Sequence, residues 1–257
     1  MLRDANQEAL EAVYWSQSPY TDWGRVNGVD ADDLPIGSVV AARLGTFDDL
    51  PGVRQSLVAL RRTFIRQSLI VLVGDLDPDP TLAIVRQAAL VGMATAPTAE
   101  PPDPDTLRNY VMQAVHDSEW LLNWFRHACP PLHDDHAAMV QPLLSRRQSV
   151  ATASRTRLQR KLSQKALPPP AAWRRLRRCV DCAVELQAHF QAPISTVASQ
   201  LSYSEPSALS RQCMDVFGYR PRFIREHLGT AWLVAAWCER NRVPVSTLRR
   251  TETASVS

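Results

Sequence analysis

The chain has 257 residues, 45% of them hydrophobic and 21% charged, which allows two compact domains or one large one and excludes global disorder. No apolar run nears the roughly 20 residues that cross a bilayer, and MLRDANQEALEAVYW has no signal-peptide pattern; with five scattered cysteines, this points to a reducing cytoplasm. The net charge of +3 hides an asymmetry: residues 1–140 hold 10 Lys/Arg against 19 Asp/Glu (−9) and residues 141–257 hold 19 against 7 (+12), so a polyanion suits the second half alone.

In chain order, residues 1–35 carry turn formers and no clear period, with one short helix expected over Gln7–Trp15. Ser38–Leu44 (SVVAARL) and Ser68–Leu76 (SLIVLVGDL) are short Val- and Ile-rich runs that predict buried strands. Between them Val53, Leu57, Leu60 and Phe64 recur at helical spacing. Asp77-Pro78-Asp79-Pro80 opens another helix with Leu82, Val85 and Ala89 on one face, ended by Gly92. Residues 92–95 predict a weak third strand, and a long helix is expected from Asp105 to about Ala128, with Leu107, Val111, Ala114, Leu121 and Phe125 inward. Strands alternating with helices predict a small parallel α/β layer.

From His133 onward only helices are predicted, near Asp135–Leu144, Ser154–Gln164, Pro170–Ala188, Ile194–Leu201, Pro206–Phe217 and Pro221–Arg240. Pro168-Pro169-Pro170 forbids helix across it. The expected organisation is an irregular segment 1–35, an α/β domain 36–128, a helical domain 129–240 and a flexible tail 241–257, α+β overall.

The segment PISTVASQLSYSEPSALSRQCMDVFGYRPRFIREHL carries the strongest signal. Ile194, Val197, Ala198 and Leu201 form one apolar stripe, and small Ala198 lets a second helix approach closely. Ser202-Tyr203 make a turn, Ser204 sits where an N-cap is wanted, and Pro206 falls inside the first turn, where its missing N–H is harmless. In the second helix Leu209, Met214 and Phe217 point to a core, while Glu205, Ser207, Ala208 and Arg211 point outward. Short polar residues followed by an arginine one turn on suit a major groove, because a guanidinium forks onto guanine or clamps phosphate.

VASQLSYSEPSALSR, FGYRP and Ile224-Arg225 resemble the AraC/XylS family of bacterial transcription regulators, over some 30 residues. Upstream, SRTRLQRKL (Ser154–Leu162) is similar to the recognition helix of that family's first helix-turn-helix, and WRRLRRCVDCAVEL (Trp173–Leu186) to its linking helix. The resemblance implies a double-stranded DNA ligand and no cofactor. It assigns Thr156, Gln159 and Arg160 to the first unit's groove face, and Ser207 and Arg211 to the second's; Glu205, outward on the same helix, joins the candidate DNA-binding residues. Phosphate contacts fall to Arg174, Arg178, Arg220, Arg222 and Arg225. Two departures stand out. Only SVATAS precedes SRTRLQRKL where the family has a full scaffold helix, and Ser202 replaces the turn glycine, at a cost of order 1 kcal/mol if its φ is positive. A shortened first unit also leaves open an adaptor that sequesters a partner regulator.

The N-terminal stretch from VALRRTF to DPDTLRNYVMQAV resembles the latter part of a two-component receiver, a degenerate one. Asp75 ends a strand as a phosphoacceptor would, yet no Lys occurs before Lys161, and phosphoryl transfer would lack its charge stabilisation. A homodimer or protein partner is expected to use this half. His127, Cys129, His133 and His136 are compact enough to chelate zinc but match no standard spacing. Cys179 and Cys182 form a C-x-x-C inside a predicted helix, away from the N-terminus that activates thiols, so buried structural roles are expected. No Gly-rich phosphate loop, Ser-His-Asp set or carboxylate pair is present, and neither an enzyme nor a bound metal is expected.

Overall fold

A computed structural model of the chain describes residues 10–15, 24–25, 31–44, 50–74, 77–116, 119–133, 137–145 and 152–246. Asp75, His136 and the tail beyond residue 246 lie outside them. The strands are β1 (Leu10–Trp15), β2 (Gly24–Arg25), β3 (Val39–Leu44), β4 (Ser68–Leu72) and β5 (Ala94–Ala96), ordered β2-β1-β3-β4-β5 in one sheet. β3, β4 and β5 run parallel, as the alternation of strands and helices predicts, while β1 pairs antiparallel with both β2 and β3. The sheet is therefore mixed. The helix expected over Gln7–Trp15 is corrected: Leu10–Trp15 is a strand, laddered on β3 from Leu10↔Leu44 to Trp15↔Val39. Val13, Tyr14 and Trp15 are residue types that favour strands, and the ladder with β3 decides the conformation.

Helices α1 (Leu50–Thr63) and α2 (Pro78–Leu90) cover one sheet face, where Val40, Ala42, Leu69 and Val71 meet Val53, Leu57, Leu60, Ile84 and Ala88. The buried row of α2 is Ile84 and Ala88, continued by Val91; of the expected Leu82, Val85 and Ala89 only Val85 packs against it, half-buried, and Leu82 is 52% exposed. The run LAIVRQAAL offers two overlapping apolar rows, and the sheet selects one of them. Pro78 starts α2, and Gly92, with φ +71, turns the chain after it.

Arg61 is buried where these helices end. Its guanidinium donates to the carbonyls of Gly92 (2.8 Å), Gln67 (3.1 Å), Phe64 (3.3 Å) and Val91 (3.4 Å). Burial pushes its pKa down to about 9, so it remains charged at neutral pH. A cation there suits the carbonyl ends of α1 and α2.

The long helix expected from Asp105 to Ala128 is two helices, α3 (Pro104–His116) and α4 (Trp120–Ala128). The Asp103 carboxylate caps α3 by accepting from the N–H groups of Asp105 and Thr106, both at 3.1 Å. α3 lies on β4 and β5, whereas α4 packs across α1 and α2 and onto α5 (Ala137–Leu144), so one straight rod could not meet both surroundings. The remaining helices are α6 (Thr152–Gln164), α7 (Pro170–Ala188), α8 (Ile194–Gln200), α9 (Pro206–Phe217), α10 (Pro221–Glu226) and α11 (Ala231–Arg240).

The helix expected over Pro221–Arg240 is also split, between α10 and α11, where Gly229 has φ +86. Gln187 of α7 fills the break. The two N–H groups of its amide are shared among the carbonyls of His227 (2.7 Å), Gly229 (2.9 Å) and Ile224 (3.0 Å), and its oxygen accepts from Gly229 N–H at 3.0 Å. The buried amide thus replaces the helical bonds that the break removes.

The second sheet face, with Val39, Ala41, Ile70, Leu72, Ala94 and Ala96, belongs to the same buried cluster as α3–α5 and α7–α11, and the cluster is continuous across residues 128 and 129. Phe125, Trp173 and Trp237 anchor it edge to face, with ring centroids 4.9–5.9 Å apart. Trp124 donates its indole N–H to Ile65 O at 3.3 Å, and Arg66 pairs with Glu239 across the two halves.

Candidate nucleic-acid interface

The helix-turn-helix expected over 193–225 has its helices where the sequence puts them. Val197 and Ala198 of α8 are buried against the interior, and the turn is closed by Ser202 N–H on Ser199 O (3.0 Å) and Tyr203 N–H on Ala198 O (2.9 Å). Ser202 has φ +58, the left-handed conformation that the missing glycine would adopt freely. Ser202→Gly is therefore expected to raise stability by about 1 kcal/mol, the relief of left-handed strain exceeding the added chain entropy. Chemical denaturation measures it; a destabilised variant would contradict it.

The residue at the N-cap position of α9 is Glu205, not Ser204, with no side-chain capping bond and with Pro206 at the first helical position. The Glu205 carboxylate accepts from the Ser207 hydroxyl at 2.8 Å, so these two are coupled at the exposed tip. Leu209 and Phe217 are buried as expected, but Met214 is 42% exposed and Cys213 and Val216 take the inner row. Positions 209, 213 and 216 share a face at helical spacing, and 214 is rotated one step past it. Gly218, φ +82, ends the helix in the left-handed conformation typical of that position.

Arg211 stands exposed one turn beyond Ser207. With Ala208, Gln212 and Asp215 of α9 it faces Arg174, Arg175 and Arg178 of α7 across an open cleft of about 620 Å³. Four arginines thus line a space whose lining includes a single carboxylate residue, Asp215. The run of arginines on α7 is separated by the fold. Arg177 turns inward and is bound by Asp181 one turn away, at 2.6 and 3.3 Å, while Arg174, Arg175 and Arg178 line the cleft. Arg175 was not singled out by the sequence pattern, since the four arginines differ only in which side of α7 they occupy.

In the first unit Thr156, Gln159 and Arg160 are exposed on α6, with Arg157 and Lys161 beside them, while Leu158 and Leu162 face inward. α6 packs on α7, and α5 packs on α4 and α7. Around α10, Arg220 is exposed at the N-cap, and Arg222 is 83% exposed and bonded to Glu226 at 2.8 Å. Arg225 is half-buried, its Nε and Nη2 shielded with no acceptor among the described residues, so its fork is not presented to solvent as Arg220's is.

No protein-family model, curated protein or solved structure matches the chain.

Among the described residues no group of three His, Cys, Asp or Glu side chains is arranged to hold a metal. His127 sets its Nε2 on Leu90 O at 3.1 Å, and burial holds the imidazole at about 4, neutral at pH 7. Cys179 and Cys182 are buried in α7 beside Cys213 of α9. Burial pushes all three thiols up, Cys213 to about 12, which leaves them protonated and poor nucleophiles or ligands.

Proposed function

We propose that the chain is a sequence-specific, double-stranded-DNA-binding transcription regulator of the AraC type. The observation that carries this reading is the juxtaposition of α9's exposed leading face, with Ser207 and Arg211, and the arginine cleft between α7 and α9. A helix entering the major groove needs polar side chains toward base edges and cations flanking it for the backbone, and both are supplied on one side of α9. Arg211 and Ser207 read bases, with Glu205 orienting Ser207. Arg174, Arg178 and Arg220 contact phosphate. Thr156, Gln159 and Arg160 of α6 form a second reading face.

Arg211→Ala is expected to weaken binding to a duplex selected from a random pool by about 1–3 kcal/mol, roughly 5- to 150-fold, and to relax preference at the positions it reads. Selection on immobilised protein followed by titration at fixed salt measures this. A variant that keeps the wild-type preference for the selected duplex over a scrambled one would sink the assignment.

A second reading, an adaptor that sequesters a partner regulator, is favoured by one observation: α5 lies against α4 and α7, while α6 is held by α7. Among the described residues α6 takes α7 as its main packing partner, whereas α9 packs directly on α8. Salt-dependent duplex binding separates the two readings, because a DNA reader loses affinity steeply as salt rises and an adaptor has none to lose.

A further inference from the structure

Beneath the arginine cleft lies a relay that no surface residue discloses. Tyr203, in the turn between α8 and α9, is half-buried and touches two cleft residues at once. The Arg178 guanidinium sits over its ring, 4.6 Å from the centroid, and its hydroxyl donates to Gln212 Oε1 at 2.7 Å. Cys182 Sγ lies 3.2 Å from the same hydroxyl. Since the one phenolic proton is on Gln212, the thiol is the donor in that contact. The Cys179 thiol also meets the Gln212 backbone carbonyl, at 3.9 Å.

We propose that Tyr203 is the positioning residue of a phosphodiester-binding cleft, its ring holding Arg178 and its hydroxyl holding Gln212 so that both present donors to one backbone phosphate beside Arg211. The inference rests on the reading of α9 as a DNA-contacting helix. With Oε1 occupied by the phenol, the Gln212 amide keeps its two N–H donors for the cleft. The stacked Arg178 loses rotamer freedom in the free protein, so less ordering remains to be done when phosphate arrives. Burial pushes the Tyr203 hydroxyl above its ordinary range, so it stays a donor at any working pH. The thiols of Cys179 and Cys182 then pack the relay from α7 without reacting.

The test is titration of the full chain with the selected duplex at several salt concentrations. Wild type is expected to give a linear fall of log K with log salt. Arg178→Ala is expected to reduce the slope by about 1, one phosphate contact. Tyr203→Leu is expected to produce the same reduction, and the double variant no further one. A folding defect lowers the active fraction but leaves the slope alone, so the slope isolates positioning. Tyr203→Phe keeps the ring: it is expected to retain the wild-type slope, weaken binding about 2- to 5-fold, and add nothing to Gln212→Ala. A wild-type slope in Tyr203→Leu, or in Arg178→Ala, overturns the ring's part. Additivity of Tyr203→Phe with Gln212→Ala overturns the hydroxyl's part, and remains measurable if Tyr203→Leu does not fold. If wild type shows no salt-dependent duplex binding, the DNA reading itself fails and the positioning role with it.

Discussion

Replacing Arg61 by methionine is expected to lower the unfolding free energy by about 3–5 kcal/mol, the largest single effect foreseen for this chain. Methionine matches the length of the arginine stem and fills much of its volume, so the loss isolates the guanidinium. Four carbonyls, of Phe64, Gln67, Val91 and Gly92, would lose their donor in a region closed to water. Each unsatisfied buried carbonyl costs about 1–3 kcal/mol, offset in part because the desolvation of the charge disappears as well. Arg61→Lys keeps the charge but cannot spread donors over four acceptors, and is expected to recover less than half of the loss. Urea denaturation at neutral pH measures both variants. A loss below about 1 kcal/mol for Arg61→Met, at unchanged m value, would show that the cation merely tolerates its site.

Gly229→Ala is expected to cost about 2–4 kcal/mol. The backbone there has φ +86, where any side chain is strained by about 1 kcal/mol, and a Cβ would collide with the Ser68 hydroxyl of β4. Relief by movement would pull on the four hydrogen bonds between Gln187 and the α10–α11 break. The clash also predicts its own rescue. Ser68→Ala removes the oxygen and leaves a contact of 3.0 Å with the serine Cβ position, so the double variant should regain roughly 1–2 kcal/mol while the strain persists. Strict additivity of the two substitutions would contradict this arrangement. The same site is where the sheet meets the helical half, and a Cβ placed on nearby Gly37 would come within 2.9 Å of the His227 Cβ. The sheet and the helical half are therefore joined here by packed contacts.

How much of this was legible beforehand differs by element. Strong periodic runs with punctuation at both ends were readable: α7 and α9 begin at Pro170 and Pro206 and end where expected. The parallel order of β3, β4 and β5 followed from strand–helix alternation. The strand at Leu10–Trp15 was not readable, because six residues of mixed polarity become a strand only when a partner supplies the ladder. The division into α3 and α4, and that into α10 and α11, were missed for a related reason. Each interrupts an apolar period that continues beyond it, and what stops the second helix is an amide 42 positions away in the chain.

For the candidate site, local chemistry determined the elements, and three-dimensional packing determined the company each residue keeps. The pattern from Val197 to Arg225 specified two helices, a turn and an outward Arg211, since capping, helical period and residue size act over a few positions. It also flagged Ser202 as a strained substitution if φ were positive, and the turn's geometry makes it so. Which arginine of 174, 175, 177 and 178 is free for a polyanion depended on where Asp181 and α9 lie, and Arg225 turned inward for the same kind of reason. Side-chain burial and cross-helix hydrogen bonds are set by neighbours distant in sequence, so the helix-turn-helix belongs to the sequence while the cleft and the Tyr203 relay belong to the fold.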